Sequence, residues 1–273
     1  MSYHQTGSGI PEDAVCQYSS ARLWFRGPKR SLDTPYMACA GGTETFGRFV
    51  DRPFAAVLED RLDRRCLNLG SLFCGVDALC QEKGLQSILD AAELCVLQAP
   101  DLLGQSNRFY RVHPRRNDRF LAATDDLISL YPEIDFADVN FVHHLMKLLQ
   151  GHQDARFEAV AEELRRNWVR EVGGLLQSLQ SPVILLCLRV IRQSEDSRPV
   201  QETEVPLTRE MLNAVRPYCA RIVRETVCVS GQSDELEDML FGTLQQPMAE
   251  FMIGPAGHRS IADALVGPIQ NLR

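Results

Sequence analysis

Apolar residues along this chain follow two rhythms. Five short uninterrupted runs, "YMACA" (36–40), "CLNLG" (66–70), "LCVLQ" (94–98), "VILLCL" (183–188) and "ETVCVS" (225–230), read as strands covered on both faces, the habit of parallel sheets. Between the runs the period lengthens to that of a helix. In "FAAVLEDRLDRR" it is carried by Phe54, Val57, Leu58, Arg61 and Leu62, and "GVDALCQEKGLQSILDAAE" continues it with one interruption at Gly84. The alternation predicts an α/β chain with a doubly wound parallel sheet of about five strands.

The interval from about 105 to 182 is too long for a simple crossover. It opens with the polar stretch "SNRFYRVHPRRNDRF" and continues with helical patterns over 118–130, 138–150 and 154–180. We read it as a helical insertion, at about 108–180, within a single α/β domain of residues 35–273 that follows an N-terminal extension of residues 1–34. "RQSEDSRPVQETEVP" (192–206) reads as a solvated loop. Thr208 with Glu210 and Met211 signals a further helix start, and "HRSIADALVGPIQNL" reads as a closing amphipathic helix.

Composition narrows the function classes. A net charge of -7, with 45% hydrophobic and 24% charged residues, is that of an ordinary globular protein and disfavours general nucleic-acid or anionic-membrane affinity. No apolar run approaches the roughly 18 residues that a membrane span needs, and no secretory signal pattern is visible at the N-terminus. The nine cysteines form no CxxC pair and no zinc-like cluster, so free thiols in a reducing cytoplasm are expected, with no metal and no cofactor. The P-loop and dinucleotide fingerprints are also missing. His143 and His144 are adjacent on a helical pattern, where neighbours cannot ligate one metal from the same face.

In open α/β sheets, ligands bind beyond the carboxyl ends of the strands. After the first predicted strand comes "GGTETFG" (41–47), after the second Asn68 and Gly70-Ser71, after the third "GQSN" (104–107), and Gly257-His258 precedes the last helix. "GGTETFG" resembles the GDSxTxG first block of the SGNH (GDSL) hydrolases, with Gly41, Thr45 and Gly47 matching. "CLNLGS" is similar to the second block, "GQSN" to the GxND third block, and "GPAGHRSIADAL" to the final DxxH block. The chain also resembles a family of uncharacterised alphaproteobacterial proteins.

The resemblance implies a flavodoxin-like or SGNH-like sheet and an ester hydrolase or acyl transferase acting on an acidic or modified saccharide. Thr43 stands in the place of the nucleophilic serine, His258 in that of the base, and the Thr43 and Gly70 N–H groups with the Asn107 amide in those of the oxyanion hole. Gly42 and Pro255 replace two aspartates, leaving Glu250 or Asp263 to orient His258. Loss of the orienting acid costs a serine triad about 10⁴ in turnover. A catalytically inactive binding or scaffold protein is therefore the alternative. Each residue also has a purely structural reading: a strand-to-helix turn capped by Thr43, an N-cap or surface role for His258, and a turn at Asn107.

Five arginines, Arg108, Arg111, Arg115, Arg116 and Arg119, fall within 12 residues of the polar stretch. Arg108, Arg111, Arg115 and Arg116 are candidates for capturing an anionic group on a small-molecule or saccharide ligand. The competing reading is a solvated loop whose arginines pair with Asp118, Asp125 and Asp126.

Overall fold

The computed structural model describes residues 15–18, 20–152, 154–193, 199–201, 204–232 and 234–272. The strands are β1 (Val15–Cys16), β2 (Phe25–Arg26), β3 (Met37–Gly41), β4 (Cys66–Gly70), β5 (Leu94–Gln98), β6 (Tyr110–Val112), β7 (Phe120–Ala123), β8 (Val183–Gln193), β9 (Pro199–Gln201) and β10 (Arg221–Cys228). The α-helices are α1 (Thr43–Phe46), α2 (Phe54–Leu62), α3 (Val76–Gln81), α4 (Lys83–Asp90), α5 (Asp125–Leu130), α6 (Val142–Gln150), α7 (Asp154–Ser178), α8 (Arg209–Val215), α9 (Gln246–Ala249) and α10 (Pro255–Gln270).

Five strands pair in parallel in the order β10-β8-β5-β3-β4, and β9 adds antiparallel to the far end of β8. Counted along the chain, the parallel order is 2-1-3-4-5. The protein is thus an α/β protein with a five-stranded parallel sheet. Alternate residues serve opposite faces, as the pleat requires. Leu67, Leu69, Cys95, Leu97 and Leu185 join one core with α3, α4, α7 and α8, while Met37, Cys39, Val96, Ile184 and Leu186 join another with α2 and α10. Both faces are covered, which is why these strands carry uninterrupted apolar runs.

Three expectations need adjustment. Residues 118–123 are not helical: Phe120–Ala123 is β7, paired antiparallel with β6, and the helix begins only at Asp125, capped by the Thr124 hydroxyl. The last parallel strand starts at Arg221 rather than Glu225, and β8 runs to Gln193. The extra residues lie at the start of β10 and the end of β8, where exposed Arg189, Arg221 and Arg224 interrupt the apolar pattern. The interruption near Gly84 divides two helices, with the Glu82 carboxylate accepting the Gly84 N–H at 3.2 Å. The expected loop at 192–206 is in part a strand pair, with β9 (Pro199–Gln201) antiparallel to Ile191–Gln193 of β8, while residues 194–198, 202 and 203 lie outside the described residues.

Residues 15–34 pack as part of the molecule. Cys16, Tyr18, Leu23 and Phe25 are buried in the larger core. Arg26 donates to the carbonyls of Gly47 at 2.8 Å and Val50 at 3.0 Å, tying this segment to the loop between α1 and α2. All nine cysteines are free thiols. Among the described residues, no helix is long and apolar enough to cross a membrane.

Candidate functional site

The strands β4 and β5 flank β3 on opposite sides, so the segments leaving β3 and β5 diverge and open a crevice between them. A cleft of ≈ 1410 Å³ occupies that place. Its floor is Gly42, Thr43 and Glu44 after β3 with Gln98 and Ala99 at the end of β5, and it continues across the ends of β8 and β10.

Gln98, the last residue of β5, organises the floor. Its side-chain oxygen accepts the N–H of Gly42 at 3.2 Å, the N–H of Thr45 at 3.1 Å and the Thr45 hydroxyl at 2.5 Å. Its amide nitrogen donates to the Glu44 carboxylate at 2.7 Å. The side chain is 7% exposed, so these bonds stand in for water that burial has removed. Gly41 is required here: a Cβ on it would lie 2.4 Å from the Thr45 hydroxyl oxygen and 2.6 Å from the Gln98 Cβ. The paired glycines at the mouth of β3 thus admit a glutamine from the neighbouring strand. Gln98 is not among the residues expected at the site, because it ends the apolar run "LCVLQ" and so belongs to the strand itself. A polar side chain closing a run covered on both faces was the signal available.

Thr43 and His258 lie at the same small cavity. Both line a cavity of ≈ 20 Å³ together with Gly47, Arg48 and Ile253, a volume that holds about one water. The α10 N-terminus that carries His258 is fixed by the Glu235 carboxylate, which accepts the Ala256 N–H at 2.7 Å. Gly47, in the left-handed region at φ 66°, closes α1 and lies against the imidazole; a Cβ there would stand 3.2 Å from the His258 Cε1. His258 is fully buried and stacks on Phe54, with ring centroids 6.3 Å apart.

The hydrogen bonding of His258 decides its chemistry. Nδ1 accepts the backbone N–H of Phe54 at 3.1 Å, while Nε2 is buried without a partner among the described residues. An imidazole whose Nδ1 accepts carries its proton on Nε2 when neutral. Burial, reinforced by the Arg26 guanidinium, lowers its pKa to about 3. The nitrogen left over is therefore a donor. Neither proposed orienting acid reaches the ring. Asp263 pairs with Arg61, and Glu250 accepts from Gln246 at 3.1 Å. Pro255, in the place of the aspartate, is the first residue of α10.

The expected oxyanion donors are largely occupied. The Gly70 N–H donates to the Asn68 side-chain oxygen at 2.9 Å, and the Asn68 amide donates to the Thr45 carbonyl at 2.8 Å. Asn107 is absorbed in its own turn: its amide donates to the Gln105 carbonyl at 3.0 Å and its oxygen accepts the Phe109 N–H at 2.8 Å. Thr43 is the first residue of α1, not its cap, and its hydroxyl oxygen accepts the Phe73 N–H at 3.0 Å.

The arginine-rich stretch is a β-hairpin, and its cations are used locally. Arg108 pairs with Asp126 at 2.6 Å, and Arg111 donates to the carbonyls of Asn107 and Tyr110. Arg116 pairs with Asp118 at 3.0 Å and lies over the Phe73 ring. Arg115 is exposed, and none of these four lines the cleft. This stretch sends Asn117 and Asp118 into the crevice; Asn117 is 1% exposed, and its side-chain oxygen accepts the N–H groups of Gly75 at 2.8 Å and Ala78 at 3.0 Å. Asn117 thereby holds the start of α3 against the cleft.

The cations that line the cleft come from elsewhere: Arg189 on β8, Arg224 on β10, Arg209 at the start of α8 and Lys147 on α6. Among the described residues none of the three guanidinium groups is in an ion pair or hydrogen bond. Every acid lining the cleft has a partner. Glu44 accepts from Gln98, Asp101 from the Leu103 N–H, Asp118 from Arg116, Glu204 contacts His143 at 3.2 Å, and Glu225 accepts from Ser260. The available signal was in "RIVRETVC", where Arg224 shares a side with Ile222 and Thr226 while Val223 and Val227 occupy the other. Among the described residues no group of three or more His, Cys, Asp or Glu side chains is disposed to hold a metal.

No curated protein and no solved structure shows significant similarity to the chain. The model of a family described as a domain of unknown function (DUF6473) matches residues 1–273. On that end-to-end match, the chain belongs to the DUF6473 family.

Proposed function

We propose that this chain is a divergent SGNH-like protein that binds an anionic ligand in the strand-end cleft without hydrolysing it. The parallel order 2-1-3-4-5, with the block-one residues Gly41, Thr45 and Gly47 at the first strand end, supports the kinship. The single observation that carries the non-hydrolytic reading is the Phe54 N–H donated to His258 Nδ1. A general base needs a free lone pair facing the nucleophile and a pKa near the working pH. The free nitrogen of His258 carries a proton instead, and the ring has a pKa of about 3. Thr43 adds a β-methyl that restricts its χ1, and two of the three expected oxyanion donors are bound internally. The cleft volume and its unpaired arginines support ligand binding.

The competing reading, hydrolysis of an acyl ester on an acidic or modified saccharide, is favoured by one fact: Thr43 and His258 share a cavity. Purified protein assayed with short acyl esters beside Thr43→Ala and His258→Ala separates the two. The binding reading expects any residual turnover to be equal in all three proteins. A loss of 100-fold or more in both variants would establish hydrolysis instead.

A further inference from the structure

We infer that Arg189 and Arg224 form the phosphate subsite of this cleft, and that its ligand is a phosphorylated, polyhydroxylated small molecule such as a sugar phosphate. The inference rests on the binding reading above and deepens it. Register places the two side chains together. On the parallel pair, Arg189 stands opposite Thr226 and Arg224 opposite Cys187, so the arginines are diagonal neighbours on one face. Two like charges so placed on adjacent strands repel each other unless a counter-charge lies between them. Among the described residues no acid supplies it. Arg209, which also lines the cleft, adds a third guanidinium that is unpaired among the described residues.

The number of guanidinium groups selects the ligand. One arginine satisfies both oxygens of a carboxylate with its fork of donors. Two or three converging arginines match the three terminal oxygens of a phosphoryl group. The opposite end of the cleft has different chemistry. Three inter-strand spacings, about 14 Å in all, separate β10 from β3, where Thr43 and Glu44 line the cleft. The Thr43 oxygen already accepts from Phe73, which leaves its hydroxyl proton to donate. Glu44 adds a carboxylate that accepts from hydroxyl groups. A ligand spanning both ends carries its phosphate over β8 and β10 and its hydroxyl groups over Thr43 and Glu44.

The test is isothermal titration and thermal shift of the full chain with inorganic phosphate, glucose 6-phosphate and glucuronate. It is repeated on Arg189→Gln, Arg224→Gln and Arg115→Gln. Glucose 6-phosphate is expected to bind more tightly than glucuronate or inorganic phosphate. Each cleft variant is expected to weaken it at least tenfold, and Arg115→Gln to leave it unchanged. Arg189 and Arg224 are both exposed, so their variants are expected to melt at the wild-type temperature without ligand. Glucose 6-phosphate binding that survives in Arg189→Gln and Arg224→Gln, or a preference for glucuronate, overturns the subsite and leaves the binding reading standing. No binding of any of the three anions overturns both.

Discussion

The backbone N–H of Phe54 donates to Nδ1 of His258 across 204 positions of sequence, at 3.1 Å. The bond joins the first residue of α2 to the first turn of α10, the two helices that cover one face of the sheet. It satisfies a helix-start N–H that has no partner within its own helix. It also dictates which imidazole nitrogen holds the proton. A single contact therefore closes one side of the molecule and sets the chemistry available to Thr43.

The first consequence is a pH dependence. His258 is neutral when folded, with a pKa of about 3, and an unfolded imidazole has a pKa of about 6.5. Between those values the unfolded chain binds more protons, so stability falls as pH is lowered from about 6.5 toward 3, by up to about 1.4 kcal/mol per pH unit. Denaturant midpoints from pH 7 to pH 4 should show this slope. His258→Asn keeps an acceptor for the Phe54 N–H and has no titrating proton, so it should flatten the slope. An unchanged slope in that variant would place the titrating group elsewhere.

Gln98 tests the floor of the cleft. Gln98→Leu is nearly the same size and leaves the N–H groups of Gly42 and Thr45 and the Thr45 hydroxyl without their acceptor. Each unsatisfied buried donor costs about 1–3 kcal/mol, so a loss of about 3 kcal/mol or more is expected in urea unfolding. A loss below about 1 kcal/mol would mean that water reaches these donors.

Two residues of the hairpin should behave differently although both are polar and hydrogen-bonded. Asn117→Ala removes the acceptor for Gly75 and Ala78 from a buried position and should cost about 1–3 kcal/mol. Arg108→Ala removes an exposed ion pair with Asp126, which solvent and salt screen, and should leave the melting temperature unchanged. Thermal melts of the two variants side by side check the contrast.

Gly47→Ala should be destabilising by about 2 kcal/mol. Its φ of 66° is unfavourable for a side chain, and the new Cβ would stand 2.7 Å from Pro53. Because that Cβ also presses on the His258 ring, the imidazole resonances should shift in the NMR spectrum. A neutral effect on both measurements would show that the α1–α2 loop yields freely.

Much of the scaffold was legible from local pattern alone. "CLNLG" and "LCVLQ" match β4 and β5 residue for residue, because strands buried on both faces require apolar residues at nearly every position. Thr208 does cap α8, accepting the Met211 N–H at 3.3 Å. The ends of β8 and β10 were harder to read, since exposure on one side lets arginine interrupt the apolar run. The hairpin at 110–123 was hidden for a related reason: with Arg111, Leu121 and Ala122 exposed, its alternation is brief and mixed.

The site divides along the same line. Sequence by itself determined that Thr43 and Gly70 lie at the ends of strands and His258 at the start of the last helix, because chain order and period dictate where elements begin and stop; Asn107, nine residues past β5, is not at a strand end. Only the tertiary structure decided how their donors and acceptors are spent. For His258 and Thr43 the partners, Phe54 and Phe73, come from far along the chain, whereas Gly70 and Asn107 are bonded by residues two positions away. The same applies to charge: Arg108 and Arg116 found acids within 20 residues, while among the described residues the Arg189 and Arg224 guanidinium groups have no ion-pair partner.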